Sequence, residues 1–197
     1  QRAQVVALGP GLSQNPDTKR LVLYLLENLG GCLVVDADAI NALAEKPDVL
    51  DKVKAEIILT PHPGEMDRLM GLNQSNSSRI RSRRVEVVTE FVKRHPHVIL
   101  VLKGHKTLVA HRDELYECTT GNPGMASAGT GDVLTGLIAG LWAQRWASAF
   151  EAARLGVYLH GLAGDTASKV TGEFSLIATD VLDTLSKALI AHGKKPG

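Results

Sequence analysis

Cysteine is rare in this 197-residue chain, which carries only Cys32 and Cys118, each in an apolar stretch that reads as a strand. This excludes a disulfide framework and points to two core thiols in a reducing, cytoplasmic setting. No apolar run reaches the length of about 18 residues that a membrane-spanning helix needs, and the first apolar segment, 4–8, is too short for a signal peptide. An excess of positive charge is also missing. Lys and Arg total 22 against 21 Asp and Glu, so composition favours neither a nucleic-acid partner nor a membrane surface, and any anion binding has to be local. Several catalytic signatures are absent too. No Gly-Lys-Ser/Thr follows the glycines, which excludes a Walker A loop, and no Gly-x-Ser-x-Gly elbow occurs. The seven histidines show neither zinc-type spacing nor His-Glu-x-x-His, so no metal ligands are assigned to the protein. A Mg²⁺ carried in on nucleotide phosphates would leave little trace in a sequence.

What is present is 44% hydrophobic and 22% charged residues, ordinary for one soluble globular domain over 1–197. Apolar strand-like runs at 4–8, 32–36 and 56–60 alternate with helical spacing at 17–29, 38–44 and 65–70. A polar connector at 75–78 leads into a charged helix over 78–95. There Arg79, Arg81, Arg83 and Arg84 scatter around the helix and read as a solvated face. The most apolar strand, 98–102, runs into Lys103-Gly104-His105-Lys106-Thr107, and two short antiparallel strands follow at 108–110 and 115–118. Three helices are expected over 132–143, 147–170 and 177–191. The small residues of the second suit close packing, either in the core or between subunits. Strands alternating with helices imply an α/β, three-layer αβα fold with a mostly parallel sheet, whose ligands sit at the carboxyl ends of the strands.

The loop from Asn122 to Gly136 is the most informative stretch. Gly121, Gly124, Gly129 and Gly131 permit positive φ and close approach of a ligand, and Val133, Leu134, Leu137 and Ile138 then begin an apolar helical face. Free N–H groups at such a helix start suit a phosphate. Asp132, in the first turn, reads either as a base that meets a hydroxyl or as a helix cap. Lys103 reads either as a group that neutralises phosphate, with Gly104 giving access and Thr107 a hydroxyl, or as a lysine snorkelling to water. His62, between two prolines, is a donor to a ligand or a structural turn histidine. Glu65 is a first-turn acid favoured by the helix dipole.

Six stretches together are more specific than any one. Gly9-Pro-Gly-Leu, Asp36-Ala-Asp-Ala, Leu59-Thr-Pro-His-Pro-Gly-Glu, Leu102-Lys-Gly-His-Lys-Thr, Asn122-Pro-Gly-Met-Ala and Gly129-Thr-Gly-Asp resemble, in order and spacing, the ADP- or ATP-dependent NAD(P)H-hydrate dehydratases. The resemblance implies a ribokinase-like fold and a repair reaction, in which the C6 hydroxyl of hydrated NADH or NADPH is phosphorylated and phosphate then leaves. It implies that Asp132 is the base, and that the N–H groups of Gly129, Thr130 and Gly131 stabilise the transferring phosphoryl group. Lys103, Gly104, His105, Lys106 and Thr107, with Gly131, would bind the adenine nucleotide; Gly11, His62, Asn122 and Asp132 would contact the hydrated cofactor. Mg²⁺ with ADP or ATP, a homotetramer, and an epimerase domain or protein acting on the same substrate are implied likewise. Two positions depart from the family pattern, Ala128 and Ser13, each standing where a glycine is usual; Ala128 is expected to narrow the anion site. The family domain also begins upstream, with strands missing from this sequence. A small-molecule kinase of the same fold shares the Gly-x-Gly-Asp element, and a non-catalytic nucleotide-binding module is the reading from a different class.

Overall fold

The structure is a computed structural model that describes residues 3–71 and 82–193. Its strands are β1 (Val5–Leu8), β2 (Cys32–Val35), β3 (Glu56–Leu59), β4 (Val98–Leu102), β5 (Leu108–His111) and β6 (Glu114–Glu117). They form one sheet in the order β1-β2-β3-β4-β5-β6. The first four are parallel, with Val35 opposite both Leu8 and Leu59, and Leu59 opposite Leu100. β5 and β6 turn back antiparallel through a tight hairpin.

Side chains alternate across a strand, and a parallel sheet needs cover on both faces. Here the alternation sorts the core into two clusters. Leu33, Val35, Ile57, Leu59, Leu100 and Leu102 point to one face, where α1 (Pro16–Asn28), α2 (Ala37–Glu45), α3 (Pro63–Leu69) and α4 (Arg84–Arg94) cover them. Val34, Ile58, Ile99, Val101 and Val109 point to the other, beneath α5 (Thr130–Ala143), α6 (Ala149–Thr171) and α7 (Ala178–Gly193). The result is the three-layer αβα arrangement that the alternating pattern implied. The small residues of α6, including Ala152, Ala153, Gly156, Ala163 and Gly164, are buried against neighbouring elements of this same chain, so they serve its core.

Helix starts carry local signals. Asn15 accepts from the Asp17 amide ahead of Pro16, and Ser148 accepts from the Glu151 amide at 3.2 Å, each satisfying a donor that the helix leaves free. Two short 3-10 helices, Pro47–Lys52 and Pro123–Met125, carry no apolar periodicity and escape a pattern search. Cys118 lies just past β6 and is buried, whereas Cys32 is only half-buried, less than a core thiol; both are free. The connector at 75–78, the expected start of the charged helix at Ser78, and Arg79 and Arg81 lie outside the described residues. No helix among the described residues is long and apolar enough to cross a membrane.

The central strand β4 is buried along its whole length. Leu100→Ala should therefore cost about 2–5 kcal/mol in urea unfolding, whereas Leu21→Ala on the exposed side of α1, where Leu21 is 56% exposed, should change stability by less than about 0.5 kcal/mol.

Candidate active site

Parallel strands end on the same edge of the sheet, so the loops after β2, β3 and β4 are neighbours. Backbone bonds continue the ladder past the strand ends: the Asp36 amide donates to the Leu8 carbonyl, Thr60 to Val35 at 3.0 Å, and Lys103 to Pro61 at 2.9 Å. The start of α5 faces this edge from the opposite layer. Between them lies a cleft of about 780 Å³, whose walls include Asp36, His62, Lys103, Asn122, Asp132 and His160.

Charge is concentrated at its floor. Asp36 is 1% exposed; its Oδ1 accepts from Lys103 Nζ at 2.6 Å and its Oδ2 from Thr135 Oγ1 at 2.8 Å. Glu65, also buried, places Oε2 at 3.8 Å from the same ammonium. A buried carboxylate persists only when paired in this way. Lys103 thus does not snorkel to water; its ammonium sits beneath the turn into α5, 3.3 Å from where a methyl on Gly131 would stand.

His62 is fixed by the residues around it. Its Nδ1 accepts from the amides of Gly64 and Glu65, while Glu65 Oε2 accepts from the His62 amide at 2.7 Å, a reciprocal cap for α3. Nδ1 being an acceptor, the proton resides on Nε2, 3.3 Å from Glu65 Oε1. Burial pushes the His62 pKa down, helped by Lys103 and Arg68 and opposed by Glu65 and Asp36. The ring is neutral and half-exposed to the cleft. Glu65 is accordingly more than a first-turn acid, being part of both the cap and the charge cluster.

The glycine loop is shaped by Gly129, which takes φ 86 as the residue before α5, a region costly for residues with a Cβ. Of the four loop glycines, Gly121 and Gly129 have positive φ and Gly124 and Gly131 do not. Thr130 is buried, and its hydroxyl donates to the carbonyls of Met125 and Ser127, both at 2.8 Å, locking the turn. Its carbonyl accepts from His160 Nε2 at 2.9 Å. Burial pushes His160 down to about 4, so this imidazole is neutral with its proton on Nε2. The Gly131 amide has no acceptor among the described residues, and the carboxylate of Asp132, exposed in the cleft, likewise has no partner there. Ser127 Oγ is buried beside it without a hydrogen-bond partner among the described residues.

The cleft brings together Lys103, Gly104, His105, Lys106, Thr107, His62, Asn122, Gly129, Thr130, Gly131 and Asp132. Gly11 is not among its lining residues; it stands exposed in the turn after β1. Asn122 is bound inward: its Oδ1 accepts from the Gly124 amide, and its Nδ2 donates to Asp165 Oδ1 at 3.0 Å. Ala128 is exposed and does not line the cleft, so its methyl group does not narrow the anion site as expected. Ser13 takes φ 73, the left-handed region where glycine is at ease, and Asp38 holds it by accepting its amide at 2.8 Å. Asp36, Thr135 and His160 are site or support residues that sequence reasoning did not assign. For Asp36 a signal existed, an acid directly after an apolar parallel strand. For His160, inside an apolar helical repeat, there was none.

The family model for NAD(P)H-hydrate dehydratase matches residues 1–187. The chain belongs to that family. It is 47% identical over 186 residues to the bifunctional NAD(P)H-hydrate repair enzyme Nnr of Moorella thermoacetica, a match covering 94% of this chain and 34% of that protein. Among solved structures, the ADP/ATP-dependent NAD(P)H-hydrate dehydratase from Bacillus subtilis, co-crystallized with ATP/Mg²⁺, superposes with a TM-score of 0.82 at 30% identity, over 95% of this chain and 64% of that one. A ribokinase-like superfamily protein from Enterococcus faecalis V583 gives a TM-score of 0.81 at 28% identity, over 98% and 64%. The fold is ribokinase-like. The chain spans about a third of the curated relative and about two thirds of the solved ones.

Two measurements test the electrostatics. Asp36→Ala strands the Lys103 ammonium and should cost about 3–5 kcal/mol in urea unfolding. For His160, the folded pKa lies below the unfolded value, so between the two the unfolded chain binds a proton that the folded one does not. Stability is then complete above about pH 6.5 and falls by up to about 3 kcal/mol as pH drops toward 4. His160→Gln should flatten that part of the pH–stability curve.

Proposed function

We propose that this chain restores hydrated NADH and NADPH by a nucleotide-driven dehydration. The observation that carries this reading is the state of Asp132: it is a cleft carboxylate without a partner, one residue past the unpartnered Gly131 amide, while Asp36 and Glu65 are committed to Lys103 and His62. A base needs a free carboxylate, and a phosphoryl group in transfer needs amide donors beside it. Asp132 takes the proton of the C6 hydroxyl as the hydroxyl oxygen attacks the terminal phosphorus of ADP or ATP, whose bond to the bridging oxygen breaks to release AMP or ADP. The amides of Gly129 to Gly131 at the head of α5 receive the charge on the phosphoryl oxygens. The C6–O bond then breaks with phosphate as leaving group, and the neighbouring ring carbon loses a proton to form the double bond.

The nucleotide is assigned to Lys103, Gly104, His105, Lys106, Thr107 and Gly131, and the hydrated ring to His62, Asn122 and Asp132. Gly11 is assigned to the ring as well, although it does not line the cleft. Among the described residues no group of three or more His, Cys, Asp or Glu is placed to hold a metal. Mg²⁺ would be held by the nucleotide phosphate oxygens and water. We read residues 1–197 as one domain, cytoplasmic in keeping with its free thiols, and acting beside an epimerase domain or protein on the same substrate. The exposed Phe174, Ile177, Leu182 and Ile190 around α7 support a homo-oligomer, read as a tetramer.

Asp132→Asn should abolish turnover, while ADP or ATP binds with unchanged affinity, because only proton removal is lost. The readout is recovery of the reduced-nicotinamide absorbance from hydrated NADH, started by adding nucleotide in the presence of Mg²⁺. Retained activity in the variant would sink the mechanism, and accumulation of a stable phosphorylated alcohol by the unmodified chain would identify a kinase instead.

A further inference from the structure

Arg84, the first residue of α4, does not share the solvated face expected of the arginines around it. Its guanidinium turns to the end of β4, where Nη2 donates to the carbonyls of Leu102 at 2.9 Å and Lys103 at 3.4 Å and Nη1 donates to that of His105. Three carbonyls of one loop are thus gathered on one cation. The guanidinium fills the space on that side: Gly104 takes φ 133, and a methyl placed on it would lie 3.0 Å from Nη1. Lys106 is held at φ 54, and Thr107 Oγ1 donates to the Gly104 carbonyl at 3.0 Å. The amides of Gly104, His105 and Lys106, residues that line the cleft, have no acceptor among the described residues.

We propose that Arg84 is a positioning residue for the adenine nucleotide: by binding the carbonyl side of the 103–107 loop it holds the amide side toward the cleft, where phosphate oxygens can accept from it. This rests on the reading above that the loop takes the nucleotide. The planar fork of arginine explains the choice of residue, because its several N–H donors reach three carbonyls at once, whereas a lysine ammonium on a flexible stem cannot span them. Burial lowers the Arg84 pKa and Glu117 opposes it; an arginine remains charged under such a shift. Hydrogen bonds from a cation to a carbonyl are individually strong, and losing them frees a loop whose backbone is held in unfavourable φ.

The test is titration calorimetry of ADP and ATP, with Mg²⁺, into the unmodified chain, Arg84→Lys and Arg84→Ala, together with KM for each substrate and the unfolding temperature. Arg84→Lys is expected to weaken nucleotide binding about tenfold, the loss of roughly one charged hydrogen bond. KM for hydrated NADH should stay within about twofold under the same loss. Added ethylguanidinium should restore part of the nucleotide affinity of Arg84→Ala. Nucleotide affinity unchanged in the lysine variant would overturn the inference. So would an equal loss for both substrates in step with the unfolding temperature and without rescue, since that marks general structural support. If the unmodified chain binds no adenine nucleotide, the assignment of the loop itself falls, and the inference falls with it. Arg84→Lys keeps the charge and carries the test should the alanine variant not fold.

Discussion

The contact between Lys103 and Asp36 is the constraint on which the site depends. Burying either charge alone would be prohibitive, so the ends of β2 and β4 must stay in register for the pair to exist. Thr135 brings α5 from the opposite layer onto the same carboxylate, across 99 positions of sequence, and Glu65 ties in α3. One cluster therefore fixes the relative places of the three loops and of the glycine turn. It also divides labour among the acids. Asp36 and Glu65 are neutralised or capped, and of the acids lining the cleft Asp132 is left without a partner among the described residues.

The same pairing leaves the uncommitted hydrogen-bond donors of the cleft largely on the backbone. Lys103 is balanced by Asp36, and His62 and His160 are both neutral, so side-chain cations contribute little net charge to the floor of the cleft. What remains uncommitted is the amide at Gly131, with the dipole of α5 behind it, and the amides after β4. His160 and Thr130 secure the first of these turns from within the helical layer. A backbone donor has no rotamer freedom to lose, so such a site is organised before its ligand arrives.

The architecture was legible where burial imposes a period. Val98 to Leu102 read as a buried strand and is one, and the cleft lies at the carboxyl ends of the parallel strands. Glycine and proline marked the turns correctly, with Gly129 taking positive φ as the residue before α5. Arg84 was misread because four arginines in a charged stretch differ only in which neighbour each meets, and that neighbour is a loop many residues later. His160 was invisible for a related reason: in an apolar helix a histidine reads as one more packed residue until its partner, the Thr130 carbonyl, is known. Ser13 and Ala128 showed the converse. A departure from a motif says little until the backbone angle and the direction of the side chain are available.

The sequential order of the sheet bears on how the molecule is made. Each described strand pairs with the one that precedes it, so these six strands can pair in the order in which they leave the ribosome, with α1 to α4 covering one face as they appear. The other face, with Val34, Ile58, Ile99 and Val101, waits for α5 and α6. During synthesis this is an apolar surface without a lid, and the interval ends with the same segment that carries the glycine turn. The segment that carries the glycine turn is thus also the one that closes this apolar face.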